Sequence, residues 1–294
     1  MFNWQRRQVH ASSPQAGTKT VRVGCVEYLS ARPLWHGLSK RPDLFSLKYA
    51  VPSKVSSWLH SGEVDLALVS SIEYGPRYRV VPGAAVTSIG PVASVAAFSR
   101  TPLTRARSVA LDSSSRTSAA LMRILCAEWF DIEPEFVTME PSLPAMLQRC
   151  DAALLIGDRA LFVDHVGMGL RKHDLCDEWR GMTGLPFVFA FWTGQPGALT
   201  PAHLQAVRDS RQAGVTALDE IACAHYPNDE TLAASGRAYL HKNIQYRFDV
   251  DCFASLQRFY TSASKLGIIQ QAQPVLFYDS RTHESEGARR YRVN

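Results

Sequence analysis

No CxxC pair occurs among the six cysteines of this 294-residue chain. Cys25, Cys126, Cys150, Cys176, Cys223 and Cys252 stand singly, most of them inside apolar segments. That pattern reads as buried free thiols of a reducing compartment and argues against a zinc ribbon or a disulfide frame. No stretch approaches the ~18 apolar residues of a membrane span. The polar segment 1–20 lacks the apolar core of a secretory signal, so a disordered tail and a cytoplasmic protein are expected. The signatures of strong catalytic groups are missing too: no GxSxG elbow, no Walker loop, no GxGxxG after a strand and no HExxH. The nine histidines are dispersed, none paired at metal spacing; His36, His60 and His165 read as surface or partly buried side chains. No metal site is expected. An enzyme with this inventory works by positioning, desolvation and hydrogen bonding more than by a strong nucleophile.

What is present is ample core. At 46% hydrophobic and 20% charged, the composition is that of a soluble globular protein, and the length suits two lobes. The net charge of +5 sits in the tails. Residues 1–22 carry Arg6, Arg7, Lys19 and Arg22 and no acid, while 281–294 carry four Arg against two Glu. The body is near neutral, so no nucleic-acid face is expected. The tails read as solubilising, with weak contact to an acidic surface as the alternative.

Patterning along the chain gives two α/β units in series. The first has strands at Val21–Val26, Ser46–Val51 and Val64–Val69, a helix begun at Leu34–Leu38, and a helix at Pro52–Ser61 stopped by Gly62. Strands at Val80–Ser88 and Val92–Ser99 follow. The pattern then restarts with strands at Ser108–Leu111, Glu135–Met139 and Ala152–Ile156, helices at Thr117–Phe130 and Leu143–Arg149, and a strand at Phe187–Thr193. Parallel sheets are expected in both lobes, joined by extended crossings near Ala93–Thr101 and Phe187–Gly194. From Thr200 the chain reads as helical: one helix capped by Thr200-Pro201 and running to about His225, a second capped by Asn228, and a third at Val250–Leu266 closed by Gly267.

The strand ends share a chemistry. Val26 leads into Tyr28-Leu29-Ser30-Ala31-Arg32-Pro33, Val69 into Ser70-Ser71, Leu111 into Ser113 to Ser118, and Ile156 into Gly157-Asp158. Ligands of open α/β sheets lie beyond the carboxyl ends of the strands, so hydroxyls, a glycine and an aspartate gathered there point to a binding cleft. The Ser113–Ser118 loop opens a helix, with Asp112 or one of the serines as its cap. Helix-start N–H groups beside hydroxyls and Arg116 suit a carboxylate or phosphate. A well-capped helix with solvated serines is the alternative reading of that loop.

These residues carry a family resemblance. Val23-Gly24, Tyr28-Leu29-Ser30 and Arg32-Pro33-Leu34, then the run Gly62 to Tyr74, resemble the chorismate dehydratases of the futalosine route to menaquinone. So do Gly90-Pro91-Val92 with Ser94-Val95, Ser115-Arg116-Thr117-Ser118, Leu155-Ile156-Gly157-Asp158, and Thr183 to Ala190. The matches keep the family's order over roughly residues 21 to 265. The resemblance implies an α/β, two-lobed, type II periplasmic-binding-protein-like fold with parallel-sheet lobes and a C-terminal helical segment. Lobe 1 is expected at 21–98 with 195–280, lobe 2 at 99–194, and a C-terminal tail at 281–294. It further implies a cytoplasmic hydro-lyase, without metal or organic cofactor, that removes water from the small dicarboxylate chorismate. Aromatisation of the ring supplies the driving force, and one proposal for the family has a substrate carboxylate take the proton. By the same resemblance Ser94 and Ser30 are catalytic, while Ser70, Ser71, Ser115, Thr117, Ser118 and Gly157 bind substrate. Arg116 either pairs with substrate or braces its loop, bracing being favoured, and Asp158 fixes the loop or a water.

One position departs from the pattern. The family usually has Asn where this chain has Ser30, and a serine hydroxyl is shorter and makes fewer hydrogen bonds than an amide. The resulting alternatives are a slower dehydratase, a homologue acting on another small dicarboxylate, or a small-anion binding protein without turnover. The sister lyase that releases dihydroxynaphthoate fits the Tyr-Leu-x-x-Arg-Pro-Leu opening less well. The sequence assigns no oligomeric state.

Overall fold

The computed structural model describes residues 19–278. The expected tails lie outside the described residues, except for Lys19 and Thr20, which are exposed. The chain opens with β1 (Val21–Val26), α1 (Arg32–Trp35), β2 (Phe45–Ala50), α2 (Pro52–Ser61), β3 (Leu66–Ser70) and β4 (Arg79–Ser88). A second set follows: β5 (Val95–Ser99), β6 (Ser108–Asp112), α3 (Arg116–Glu128), β7 (Glu135–Met139), α4 (Leu143–Arg149), β8 (Ala152–Ile156), α5 (Asp158–Leu161), β9 (Arg171–Asp174) and α6 (Leu175–Thr183). The chain returns through β10 (Phe187–Gly194) into α7 (Pro201–Thr216), α8 (Leu218–His225), α9 (Glu230–Lys242) and α10 (Val250–Lys265).

The strands form two five-stranded sheets, ordered β2-β1-β3-β10-β4 and β7-β6-β8-β5-β9. The expectation of wholly parallel sheets needs correcting in one respect. β1 is parallel to β2 and β3, and β6 to β7 and β8, but β10 runs antiparallel to β3 and β4, and β5 antiparallel to β8 and β9. The reason is where the chain enters. β5 starts with Val95 opposite Ile156, the last residue of β8, and β10 starts with Phe187 opposite Ser88, the last residue of β4. A strand that enters a sheet at the carboxyl ends of its neighbours must run against them. The expected division at 98/99 and 194/195 also differs from the pairing, since β5 pairs in the second sheet and β10 in the first. The strands change sheet between Ser88 and Val95 and between Asp174 and Phe187.

Side-chain alternation sorts the core of the second sheet. Ala97, Val109, Leu111, Leu154 and Ile156 join the large core shared with the first sheet. Ala96, Phe98, Ala110, Ala153 and Leu155 face the other way, onto Leu143, Met146 and Leu147 of α4. Central strands β3, β5 and β8 are buried at every residue, as covered α/β strands must be. At the junction of the two sheets Trp179 of α6 lies edge-on to Phe187 at 5.5 Å and to Phe259 at 6.3 Å, tying α6, β10 and α10 together.

The helical region departs from expectation at one break and one cap. The helix after Thr200 breaks at Ala217 into α7 and α8, and α9 is capped by Asp229, whose carboxylate accepts from Leu232 N at 2.9 Å, in place of Asn228. Thr200 does cap α7, in a capping box completed by His203. α7 packs tightly on α1, with Gly214 against the Pro33 carbonyl where no side chain fits. That contact fixes the 28–34 turn over the end of β1. Among the described residues no helix is long and apolar enough to cross a membrane. All six cysteines are free, and only Cys223 is exposed; burial pushes the Cys126 and Cys252 thiols up to about 12.

Candidate active site

The carboxyl ends of β1, β3, β6 and β8 converge on one cleft, with about 580 Å³ of space between its walls, open solvent included. Ser30, Ser70, Ser94, Ser115, Thr117, Ser118 and Gly157 all line it, together with Tyr28, Tyr239, Phe189 and Ile244. Apart from the two tyrosines, the lining contains no ionisable side chain among the described residues.

One wall is the start of α3. Ser115 is the cap: its hydroxyl accepts from Ser118 N at 3.3 Å and donates to Ser118 Oγ at 3.0 Å. Asp112 does other work, accepting from Ser114 N at 2.9 Å and from Ile156 N at 3.3 Å, which ties the ends of β6 and β8 together. Thr117 Oγ1 accepts from Ile72 N at 3.1 Å, and the Tyr28 hydroxyl donates to Ser114 Oγ at 3.2 Å, so both lobes meet here. The helix-start N–H groups and three hydroxyls form a neutral cradle for an anion.

Three of the expected residues do not face the cavity. Ser71 follows Ser70 but points the other way, donating to Val188 O at 2.6 Å, while its own carbonyl accepts from the Tyr260 hydroxyl at 2.7 Å. Arg116 is a brace: its side chain is 68% exposed and pairs with Glu73 across the lobes at 2.9 Å. Burial raises the Glu73 carboxyl, but hydrogen bonds from His60 and Arg116 outweigh it and leave the group below the ordinary range. Asp158 fixes its loop, meeting His225 Nε2 of α8 at 2.9 Å. Its carboxyl is pushed up by burial and pulled below the usual range by His225 and Tyr226. Gly157 does face the cavity, with φ 65° and ψ −150°, a conformation open only to glycine. Its N–H donates to Ser94 O at 2.8 Å.

On the opposite wall Ser94 Oγ lies 2.7 Å from the Tyr239 hydroxyl of α9, and Ser30 acts on the same hydroxyl. Tyr239 is buried, and burial pushes its phenol well above the ordinary value, so it is neutral and serves as donor or acceptor. Sequence reading missed Tyr239. On α9 it shares a buried stripe with Ala233, Gly236 and Leu240, and nothing local separates it from core. Phe189 was within reach, since it lies in the Thr183–Ala190 segment. Among the described residues no group of three His, Cys, Asp or Glu is placed to hold a metal ion.

The fold is that of periplasmic binding proteins. The aliphatic sulphonate binding protein of Escherichia coli superposes with a TM-score of 0.61 at 16% identity, over 89% of this chain and 94% of that one. A Candida albicans protein described as having the generic periplasmic binding protein fold superposes at 0.62 and 11% identity, over 90% and 100%. In sequence, the chorismate dehydratase of Thermus thermophilus is 34% identical over 219 residues, 68% of this chain and 79% of that protein. The chorismate dehydratase of Campylobacter jejuni is 30% identical over 173 residues, 57% and 64%. Residues 21–265 match the sequence model of the family described as menaquinone biosynthesis, and the chain belongs to that family.

Proposed function

We propose that this chain is a chorismate dehydratase, converting chorismate to 3-[(1-carboxyvinyl)oxy]benzoate and water on the futalosine route to menaquinone. The observation that carries the reading is the cleft: the hydroxyls and helix start of α3 face a hydroxyl cluster of Ser94, Tyr239 and Ser30 across it. One substrate carboxylate sits on Ser115, Thr117 and Ser118, held by N–H and hydroxyl donors. The Ser94 hydroxyl orients the reacting end, where the ring loses a proton and the neighbouring carbon loses its hydroxyl. As one proposal for the family has it, a substrate carboxylate takes the proton; apart from the two tyrosines the described lining offers no ionisable side chain to do so. Catalysis then rests on alignment and on exclusion of water, with aromatisation drawing the reaction forward. Ser70 and Gly157 complete the walls. Free thiols suit a reducing compartment, and we place the enzyme in the cytoplasm.

The test is purified protein with chorismate, followed by ultraviolet absorbance and by mass spectrometry for loss of water. Appearance of the dehydrated product supports the reading. No product at high enzyme concentration refutes it, and tight binding without turnover identifies a binding protein.

A further inference from the structure

Ala93, immediately before Ser94, has a φ of 63°. Alanine rarely adopts this left-handed region. The Ser94 N–H donates to the Val92 carbonyl at 2.8 Å, closing a three-residue γ-turn with Ala93 at its centre. A γ-turn of positive φ is rare and strained, and such geometry persists only where its surroundings over-determine it.

The surroundings here are two side chains of β9, an element with no other role at the cavity. Asp174 receives the turn bidentately: Oδ1 accepts from Val92 N at 3.0 Å and Oδ2 from Ala93 N at 2.6 Å. Lys172 Nζ donates to the Ala93 carbonyl at 2.9 Å. Asp174 is anchored in turn as the cap of α6, with Oδ1 also accepting from Cys176 N at 3.1 Å and Asp177 N at 3.3 Å. Every polar backbone group of Ala93 is therefore held by a charged side chain, one residue from the hydroxyl that meets Tyr239. A well-packed loop that merely linked two sheets would not need a strained alanine clamped by an anion and a cation.

We propose that Asp174 and Lys172 are positioning residues, which aim the Ser94 hydroxyl by clamping the strained turn at Ala93. This rests on the dehydratase reading for its kinetic consequence, but the clamp itself is readable without turnover.

The test compares wild type with Asp174→Asn, Lys172→Met, Ala93→Gly and the doubles Asp174→Asn/Ala93→Gly and Lys172→Met/Ala93→Gly. Asparagine still caps α6 but offers one acceptor oxygen for four N–H donors, so its amide confronts the turn or the cap. Asp174→Asn is expected to lower kcat for chorismate at least tenfold with KM within threefold of wild type, and Lys172→Met to lower kcat at least threefold. Glycine adopts positive φ freely, so adding Ala93→Gly should recover a large part of the kcat lost in each clamp variant. A role confined to capping α6 predicts no such recovery. Hydrogen–deuterium exchange of the peptide covering 89–98 should quicken in both clamp variants whether or not chorismate turns over. Wild type without turnover, with exchange quickened as expected, sinks the dehydratase reading and leaves the clamp standing. Unchanged kcat and exchange in Lys172→Met, whose substitution lies away from the α6 cap, overturns the proposal even if Asp174→Asn fails to fold.

Discussion

Tyr239→Phe is the sharpest perturbation of the candidate site, because it removes one oxygen and leaves the ring that fills α9's buried face. The lost contacts are the 2.7 Å hydrogen bond to Ser94 Oγ and the interaction with Ser30. A buried bond between neutral hydroxyls is worth about 1 kcal/mol net. For a chain of this size that lowers the melting temperature by about 2 °C or less. Turnover should fall further than stability implies, since the Ser94 hydroxyl loses the partner that orients it. A tenfold loss in kcat, about 1.4 kcal/mol, is expected. Ser94→Ala should cost about 100-fold with the fold intact, the scale of a lost transition-state hydrogen bond. The decisive measurement is the double variant. If Tyr239 acts through Ser94, Tyr239→Phe costs nothing more once Ser94 is alanine, and the two effects are strongly non-additive. Steady-state kinetics on the four proteins, with urea unfolding of each, gives both ledgers. Equal factors for Tyr239→Phe in the presence and absence of the Ser94 hydroxyl refute the reasoning and show that the phenol does not act through Ser94.

Three further outcomes are expected. Ser30→Asn installs the amide that the family resemblance leads us to expect at this position and should raise turnover; an unchanged kcat removes Ser30 from the mechanism. Glu73→Gln tests the interlobe brace through pH. Because the folded carboxyl titrates below its ordinary value, the stability it contributes is present above the unfolded pKa of about 4.3 and is lost as pH falls through the lower folded value. The melting-temperature gap between wild type and variant, worth about 1 kcal/mol or less with Arg116 this exposed, should hold at neutral pH and narrow progressively as pH falls below about 4.3; a gap that widens in acid contradicts it. Gly157→Ala places a Cβ 3.5 Å from the Tyr28 ring, an ordinary contact, so its cost of about 1–3 kcal/mol is conformational and should appear in urea unfolding. An alanine variant as stable as wild type removes that strain argument.

Locally patterned elements were legible in the sequence. Apolar runs bounded by turn residues place β1, β7 and β8 on their observed limits, and proline starts with helical spacing do the same for α2 and α4. β9 was not legible, because Arg171-Lys172-His173-Asp174 has no strand propensity and forms only as an edge against β5. The break between α7 and α8 falls at Ala217, where neither glycine nor proline marks it. Within the site, hydroxyls at strand ends were readable and do line the cavity. Ser71 was not separable from Ser70 by residue type, although adjacent residues leaving a strand diverge and only one of such a pair faces the cleft. Tyr239 and Asp174 were invisible for a common reason: each meets its partner from far along the chain, Tyr239 reaching Ser94 across 145 residues and Asp174 reaching Ala93 across 81.

The position of β10 between β3 and β4 has a consequence for how the molecule is made. The second sheet is a continuous piece of chain from β5 to β9, and all its strands are available once Asp174 has been synthesised. The first sheet begins earlier but lacks an interior strand until Gly194 emerges. In that interval β3 and β4 present open hydrogen-bonding edges to each other across a one-strand gap. Unpaired edges are templates for wrong pairing. The lobe started first is therefore completed last, and the window for misassembly during translation lies at the β3 and β4 edges that β10 later joins.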